Sequence, residues 1–111
     1  MPTVFVPSLP TRWDEEAAMR VPTINISAAL AFGSPRILVP AEVNLTVLDS
    51  ALDVLAQRMV DEFNIGDYVL AAGDPVLIGA TIHHASNLSA GRPVRVLRWN
   101  RLIKSYQSIT L

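Results

Sequence analysis

The chain has 111 residues, a formal net charge of −1, an apolar half and only 17% charged residues. That length allows one α/β-sized domain with a buried core and excludes two, and no apolar run approaches the roughly 18 residues that would span a bilayer. The absence of cysteine excludes disulfides, thiolate metal sites and a cysteine nucleophile.

The apolar content is high for a free monomer of this size. It points to a homo-oligomer, a dimer first, or to a host or other protein covering part of the surface. The start, MPTVFVPSLP, lacks a basic segment followed by an apolar one, so no signal peptide is expected and the chain reads as intracellular and soluble, with no membrane partner. Matches to the N-x-S/T pattern at Asn25, Asn44 and Asn87 are then chance. The near-zero net charge conceals a polarity. Residues 1–74 hold all ten acids and four cations, whereas residues 75–111 hold Arg92, Arg95, Arg98, Arg101 and Lys104 and no acid. Such segregation bears on partners more than on fold.

In chain order, the first forty residues hold six of the eight prolines, so they predict an irregular wrap over the core, without long regular elements. Within it, Thr3 to Val6 and Ile37 to Val39 are short strand candidates. Ser27 is placed to cap a helical piece, AALAF, that Gly33 stops. The α/β core is expected over 41–111. Thr46, with Asp49 three positions on, approaches a capping box. Leu48, Ala51, Leu52, Leu55, Met59 and Phe63 then recur at helical spacing, with Asp49, Asp53, Gln57 and Asp61 opposite. Asn64 and Gly66 end that helix. Tyr68 to Ala72 is apolar without alternation, as in a strand covered on both faces. Gly73-Asp74-Pro75 opens a second helix, with Asp74 as N-cap and Pro75 at the first helical position. Leu77, Ile78, Thr81, Ile82, Ala85 and Leu88 share its broad apolar side; Val76, Gly79, His83 and Asn87 lie opposite. Arg92 to Trp99 and Tyr106 to Leu111 read as two strands closing an antiparallel hairpin. Strand–helix–strand units need crossovers and give parallel pairs. The expectation is a single small layered α/β domain with a mixed, mainly parallel sheet, two main helices, a C-terminal hairpin and a proline-rich N-terminal wrap.

Four groups of residues are candidates for chemistry. Ligands of open α/β sheets sit beyond the carboxyl ends of strands, where helix N-termini offer free amides, and Gly73, Asp74 and Pro75 occupy that place. Against a phosphate there, the Asp74 carboxylate already supplies negative charge, proline removes a donor, and no Gly-x-Gly-x-x-Gly or Walker A pattern occurs. A cap is the first reading and a ligand crevice, for a small molecule or nucleotide, the second. His83 and His84 are neighbours on a helix and point about 100° apart, so they do not share a metal as an i,i+4 pair would. The segment RPVRVLRWNRLIKSYQS sets a cation at every third position beside Trp99 and Tyr106, a pattern suited to single-stranded nucleic acid. Strand side chains alternate with period two, however, so a period of three divides these cations between two faces. Arg95, Arg98, Trp99, Arg101, Lys104 and Tyr106 are therefore read first as a protein contact and second as a nucleic-acid edge. The acid pairs in Asp14-Glu15-Glu16 and Asp61-Glu62 have no histidine or nucleophile at readable spacing and are read as solvated.

Four segments, VFVPSLPTRWD, VPTINISAALAFG, DYVLAAGDPVLIGA and VRVLRWNRLIKSY, resemble those of small proteins encoded by tailed bacteriophages. The resemblance is carried by Pro7, Leu9, Arg12 and Asp14, by Val21, Pro22, Asn25, Ile26, Ser27, Ala29, Phe32 and Gly33, by Asp67, Tyr68, Leu70, Gly73, Asp74, Pro75 and Ile78, and by Leu97, Trp99, Asn100 and Arg101. It implies a viral source and a host-cytoplasm or virion setting, and it lends no site residue. The reading leans away from an enzyme and implies no cofactor. A non-enzymatic accessory protein working through protein–protein contacts ranks first. A small-molecule or nucleotide binder using the Gly73-Asp74-Pro75 crevice is the alternative, and single-strand binding by the basic edge a further one.

Overall fold

A computed structural model describes residues 1–40 and 48–111 of the chain. Strands β1 (Thr3–Ser8), β2 (Thr11–Asp14), β3 (Met19–Pro22) and β4 (Ser34–Val39) precede helix α1 (Leu48–Glu62). Strand β5 (Tyr68–Leu70), helix α2 (Pro75–Leu88) and strands β6 (Arg95–Asn100) and β7 (Ser105–Thr110) follow. Among the described residues the main sheet has five strands in the order β4-β1-β5-β6-β7, parallel except for the β6–β7 hairpin. β2 and β3 form a separate two-stranded hairpin. This is the mixed, mainly parallel α/β sheet with two helices and a closing hairpin that the patterning dictates.

Both faces of the sheet are covered, which explains why its central strands do not alternate apolar with polar. Phe5 of β1, Val69 of β5 and Val96 of β6 face α1 and α2, where they pack with Ala51, Leu55, Met59, Leu77 and Ala85. Val4 and Val6, Leu70 and Leu97 face the other way, against Ala29, Ile24, Ile26 and Phe32. In α1 the buried residues Ala51, Leu55 and Met59 recur every fourth position, and Asp49, Asp53, Gln57 and Asp61 are exposed. In α2 the buried set is Leu77, Thr81 and Ala85. The Thr81 hydroxyl, deep in the apolar layer, donates to the Leu77 carbonyl at 2.7 Å, so its burial leaves no unpaired polar atom. The first half of the expected Thr46–Asp49 capping pair lies outside the described residues.

The first forty residues do more than wrap. They supply β4 and β1, the latter between β4 and β5, as well as the cover on the second face. Pro35 lies in the edge strand β4 and Pro22 at the end of β3, where a strand tolerates proline, but Pro7 lies inside the inner strand β1, which continues past it to pair Ser8 with Val39. The short helical piece is a 3-10 helix, Ser27–Ala31, and its cap differs from the expectation. Asn25 Oδ1 accepts both the Ala28 amide at 3.0 Å and the Ser27 hydroxyl at 2.7 Å, so Asn25 takes the role expected of Ser27. Gly33 is there because a Cβ would collide with the Pro2 carbonyl, not because it stops a helix with a left-handed turn.

Asp67 ties the amino end of the sheet together. Its two carboxylate oxygens accept the Thr3 amide at 2.9 Å and the Asn64 amide at 2.8 Å, joining β1 to the end of α1. Among the described residues every buried side-chain nitrogen and oxygen has a hydrogen-bond partner.

Candidate interaction site at the carboxyl end of the sheet

β1 and β5 are adjacent and parallel, yet their onward connections leave on opposite faces. From β1 the chain passes to the face covered by the 3-10 helix, and from β5 it enters α2 on the other. This is the topological switch at which open α/β sheets form a crevice. Here the mouth next to α2 is filled from within. The Asp74 amide donates to Ser8 Oγ at 3.1 Å. Gly73 has a φ of +101° and lies so close to Ser8 that a Cβ would collide with the hydroxyl and the carbonyl. Asp74 Oδ1 accepts the amides of Val76 at 2.8 Å and Leu77 at 3.4 Å, with Pro75 at the first helical position. The helix N-terminus is thus neutralised by its own cap, as the residue order predicts.

Open space at this end lies one step over, on the face of the 3-10 helix. A crevice of about 450 Å³ runs between Thr23, Ile24 and Asn25 on one side and Trp99, Arg101 and Tyr106 on the other, floored by Ala71 and Ala72. Trp99 and Tyr106 are cross-strand partners, their rings edge to face with centroids 5.0 Å apart. The Tyr106 hydroxyl is pushed up from its ordinary range by burial.

Two hairpins rise from the same end. β2–β3 carries the acids Asp14, Glu15 and Glu16 with exposed Trp13 and Met19. β6–β7 turns through Arg101, Leu102, Ile103 and Lys104. Leu102 is 94% exposed and Ile103 59%, between two exposed cations. Their backbone is held: Asn100 Oδ1 accepts the Leu102 amide at 2.9 Å and the Ile103 amide at 3.4 Å, and Lys104 closes the turn in the left-handed region, φ +50°. The tip is therefore an ordered apolar pair on a cationic mount.

The cations of the basic segment separate as a period of three requires. Arg95 shares the face of Leu97 and Trp99; its guanidinium lies 4.7 Å from the Tyr68 ring centroid and donates to Tyr68 Oη at 2.8 Å. Arg98, an odd number of positions away, takes the opposite face. Arg101 and Lys104 belong to the turn. His83 and His84 stack edge to face at 5.5 Å, and the polar contact of His83 is Asn87 Nδ2 at 3.3 Å. Among the described residues no three His, Asp or Glu side chains are grouped to hold a metal, and no helix is long and apolar enough to cross a membrane.

The sequence signals single out Trp99, Arg101, Lys104 and Tyr106, which the structure brings to one end, and they overlook Leu102, Ile103, Asn100 and Ser8. Asn100 carried a usable signal: an asparagine between two strand patterns commonly folds its side chain back on the following amides. Ser8 carried none, since its partner is distant in sequence.

The profile of one protein family, the Phage Pam3 gp32-like protein, matches residues 2–111. The chain belongs to that family and is a bacteriophage protein. Comparison with curated proteins and with solved structures found no match.

Proposed function

We propose that this member of the Phage Pam3 gp32-like family is a non-enzymatic accessory protein that docks onto a host or phage protein through the tip of its C-terminal hairpin. The carrying observation is the pair Leu102 and Ile103, the first 94% exposed, held on a turn that Asn100 fixes. A monomeric fold has no use for a rigid apolar point in water. A docking surface has, because a preordered anchor forfeits little entropy on binding. Arg101 and Lys104 on either side favour an acidic rim on the partner and would raise its rate of encounter. Trp99 adds apolar area at the base. The setting that follows is the host cytoplasm during infection, or the virion.

The experiment is affinity purification from infected cells with the wild type and a Leu102→Asp, Ile103→Asp variant. Both positions are solvent-facing, so the variant should melt with the wild type. A protein retained by the wild type and lost from the variant supports the reading. Equal recovery by both contradicts it.

A second reading is favoured by one observation, the crevice of about 450 Å³ between the hairpin bases. With aromatic, cationic and amide groups around its mouth it suits a planar anionic small molecule, such as a nucleotide. Gly73, Asp74 and Pro75 do not line this crevice, which reaches the β5–α2 connection only at Ala71 and Ala72. Titration with the common ribonucleotides, read from the Trp99 fluorescence of a Trp13→Phe variant, tests this reading. An unchanged spectrum at millimolar nucleotide would remove it.

A further inference from the structure

The two edges of the main sheet are built differently. β4 contains Pro35 and Arg36, and the Arg58 guanidinium reaches from α1 to donate to the Leu38 carbonyl at 2.7 Å. Proline, charge and a covering side chain are the ordinary means by which an edge strand is kept from pairing. β7, at the opposite edge, has no proline and no charge in its six residues, SYQSIT, and no side chain among the described residues hydrogen-bonds to its backbone. Its register with β6 runs without a bulge.

The direction of its free backbone groups follows from one pair. Val94 and Leu111 exchange both backbone hydrogen bonds, at 3.1 and 2.9 Å, so they are a hydrogen-bonded pair. Such pairs alternate with non-bonded ones along an antiparallel ladder. Counting back, Ile109, Gln107 and Ser105 turn their amides and carbonyls toward β6. Tyr106, Ser108 and Thr110 turn theirs outward.

We propose that this edge pairs antiparallel with the β7 of a second copy, continuing the sheet across a two-fold axis at Ser108. A strand without charge meets its own copy with no like-charge repulsion, and an antiparallel edge is complementary to itself under a two-fold rotation. Centred on Ser108, the register sets two small side chains opposite each other at the axis and Tyr106 opposite Thr110 on either side. The exposed apolar side chain of Ile109 gains cover in the same step. The hairpin tip lies beyond the paired segment, so each copy keeps Leu102 and Ile103 free and the pair presents two docking points.

Sedimentation equilibrium of the purified chain tests this. The wild type should run at twice the 12.1 kDa chain mass. Ser108→Lys, which sets two cations face to face at the axis, should run at the mass of one chain with an unchanged circular dichroism spectrum. Ser108→Pro removes an amide that points away from β6 and should do the same. A wild type that stays monomeric at high micromolar concentration overturns the proposal, as does a dimer that survives Ser108→Lys. The Leu102→Asp, Ile103→Asp variant should remain dimeric, so failure of the docking tip and failure of the pairing are read separately.

Discussion

Asn100 Oδ1 accepts the Leu102 amide at 2.9 Å, and this bond sets the direction of the most exposed apolar side chain in the C-terminal hairpin. Replacing the acceptor frees the turn without touching the core. Asn100→Ala should lower stability by about 1 kcal/mol and speed amide hydrogen exchange at Leu102 and Ile103 while leaving Val96 and Leu97 protected. Unchanged exchange at the tip would show that its order comes from elsewhere.

The junction of β5 and α2 makes a prediction about the cap. Asp74→Ala should reduce stability by roughly 0.5–2 kcal/mol, and Asp74→Asn should recover most of it, because both residues cap. Gly73→Ala should be worse than Asp74→Ala: a left-handed φ costs a non-glycine residue about 1–2 kcal/mol, and the added Cβ meets Ser8. Urea unfolding ranks the three, and an Asp74→Ala chain as stable as the wild type would mean that the carboxylate serves something other than the helix.

Asp67 closes the amino end as Asp74 closes the carboxyl end. Its carboxylate is buried and accepts two backbone amides, so Asp67→Ala leaves both donors without their partner. The loss should be about 2–3 kcal/mol, with exchange of the Thr3 amide rising in step. A loss below about 0.5 kcal/mol would make the site a surface one.

Much of the layer structure was legible because periodicity is a direct record of burial. The i, i+4 spacing in α1, the apolar run of β5 and the Gly-Asp-Pro helix start each correspond to the element observed. What was not legible depends on residues that meet only in the folded chain. The proline content of the first forty residues hides that β1 is an inner strand, since a six-residue strand that contains Pro7 looks in isolation like an edge or a loop. The pattern before AALAF points to Ser27 as the cap, whereas Asn25, two positions earlier, holds the Ala28 amide in the folded chain. The tip was missed for another reason. Arg101 and Lys104 stand out by charge, while Leu102 and Ile103 between them resemble any apolar pair in the sequence, and only the turn exposes them.

Burial raises the Tyr106 pKa, so the folded chain holds that proton more tightly than the unfolded one. The corresponding stability is complete below the ordinary phenol value of about 10 and is lost as pH rises through the folded value. In a Tyr68→Phe background, absorbance at alkaline pH should show Tyr106 ionising above that ordinary value. Ionisation at the ordinary value would place the hydroxyl in solvent.

The split of Arg95 and Arg98 between faces limits what the basic segment does with nucleic acid. Each phosphate contact to a single strand adds about −0.7 to the slope of log affinity against log salt. With the cations divided, a labelled oligonucleotide should bind weakly and with a shallow slope in fluorescence anisotropy. Sub-micromolar, salt-steep binding abolished by Trp99→Ala would instead make the edge a nucleic-acid surface.

The docking role of the hairpin tip is tested most directly by photo-cross-linking during infection, from a photoreactive side chain placed at position 102 and, separately, at position 57 on the exposed face of α1. The account predicts a discrete protein adduct from position 102 that is absent from position 57 and disappears when Ile103→Asp is added. Adducts of the same pattern and yield from both positions, or none from position 102, would contradict it.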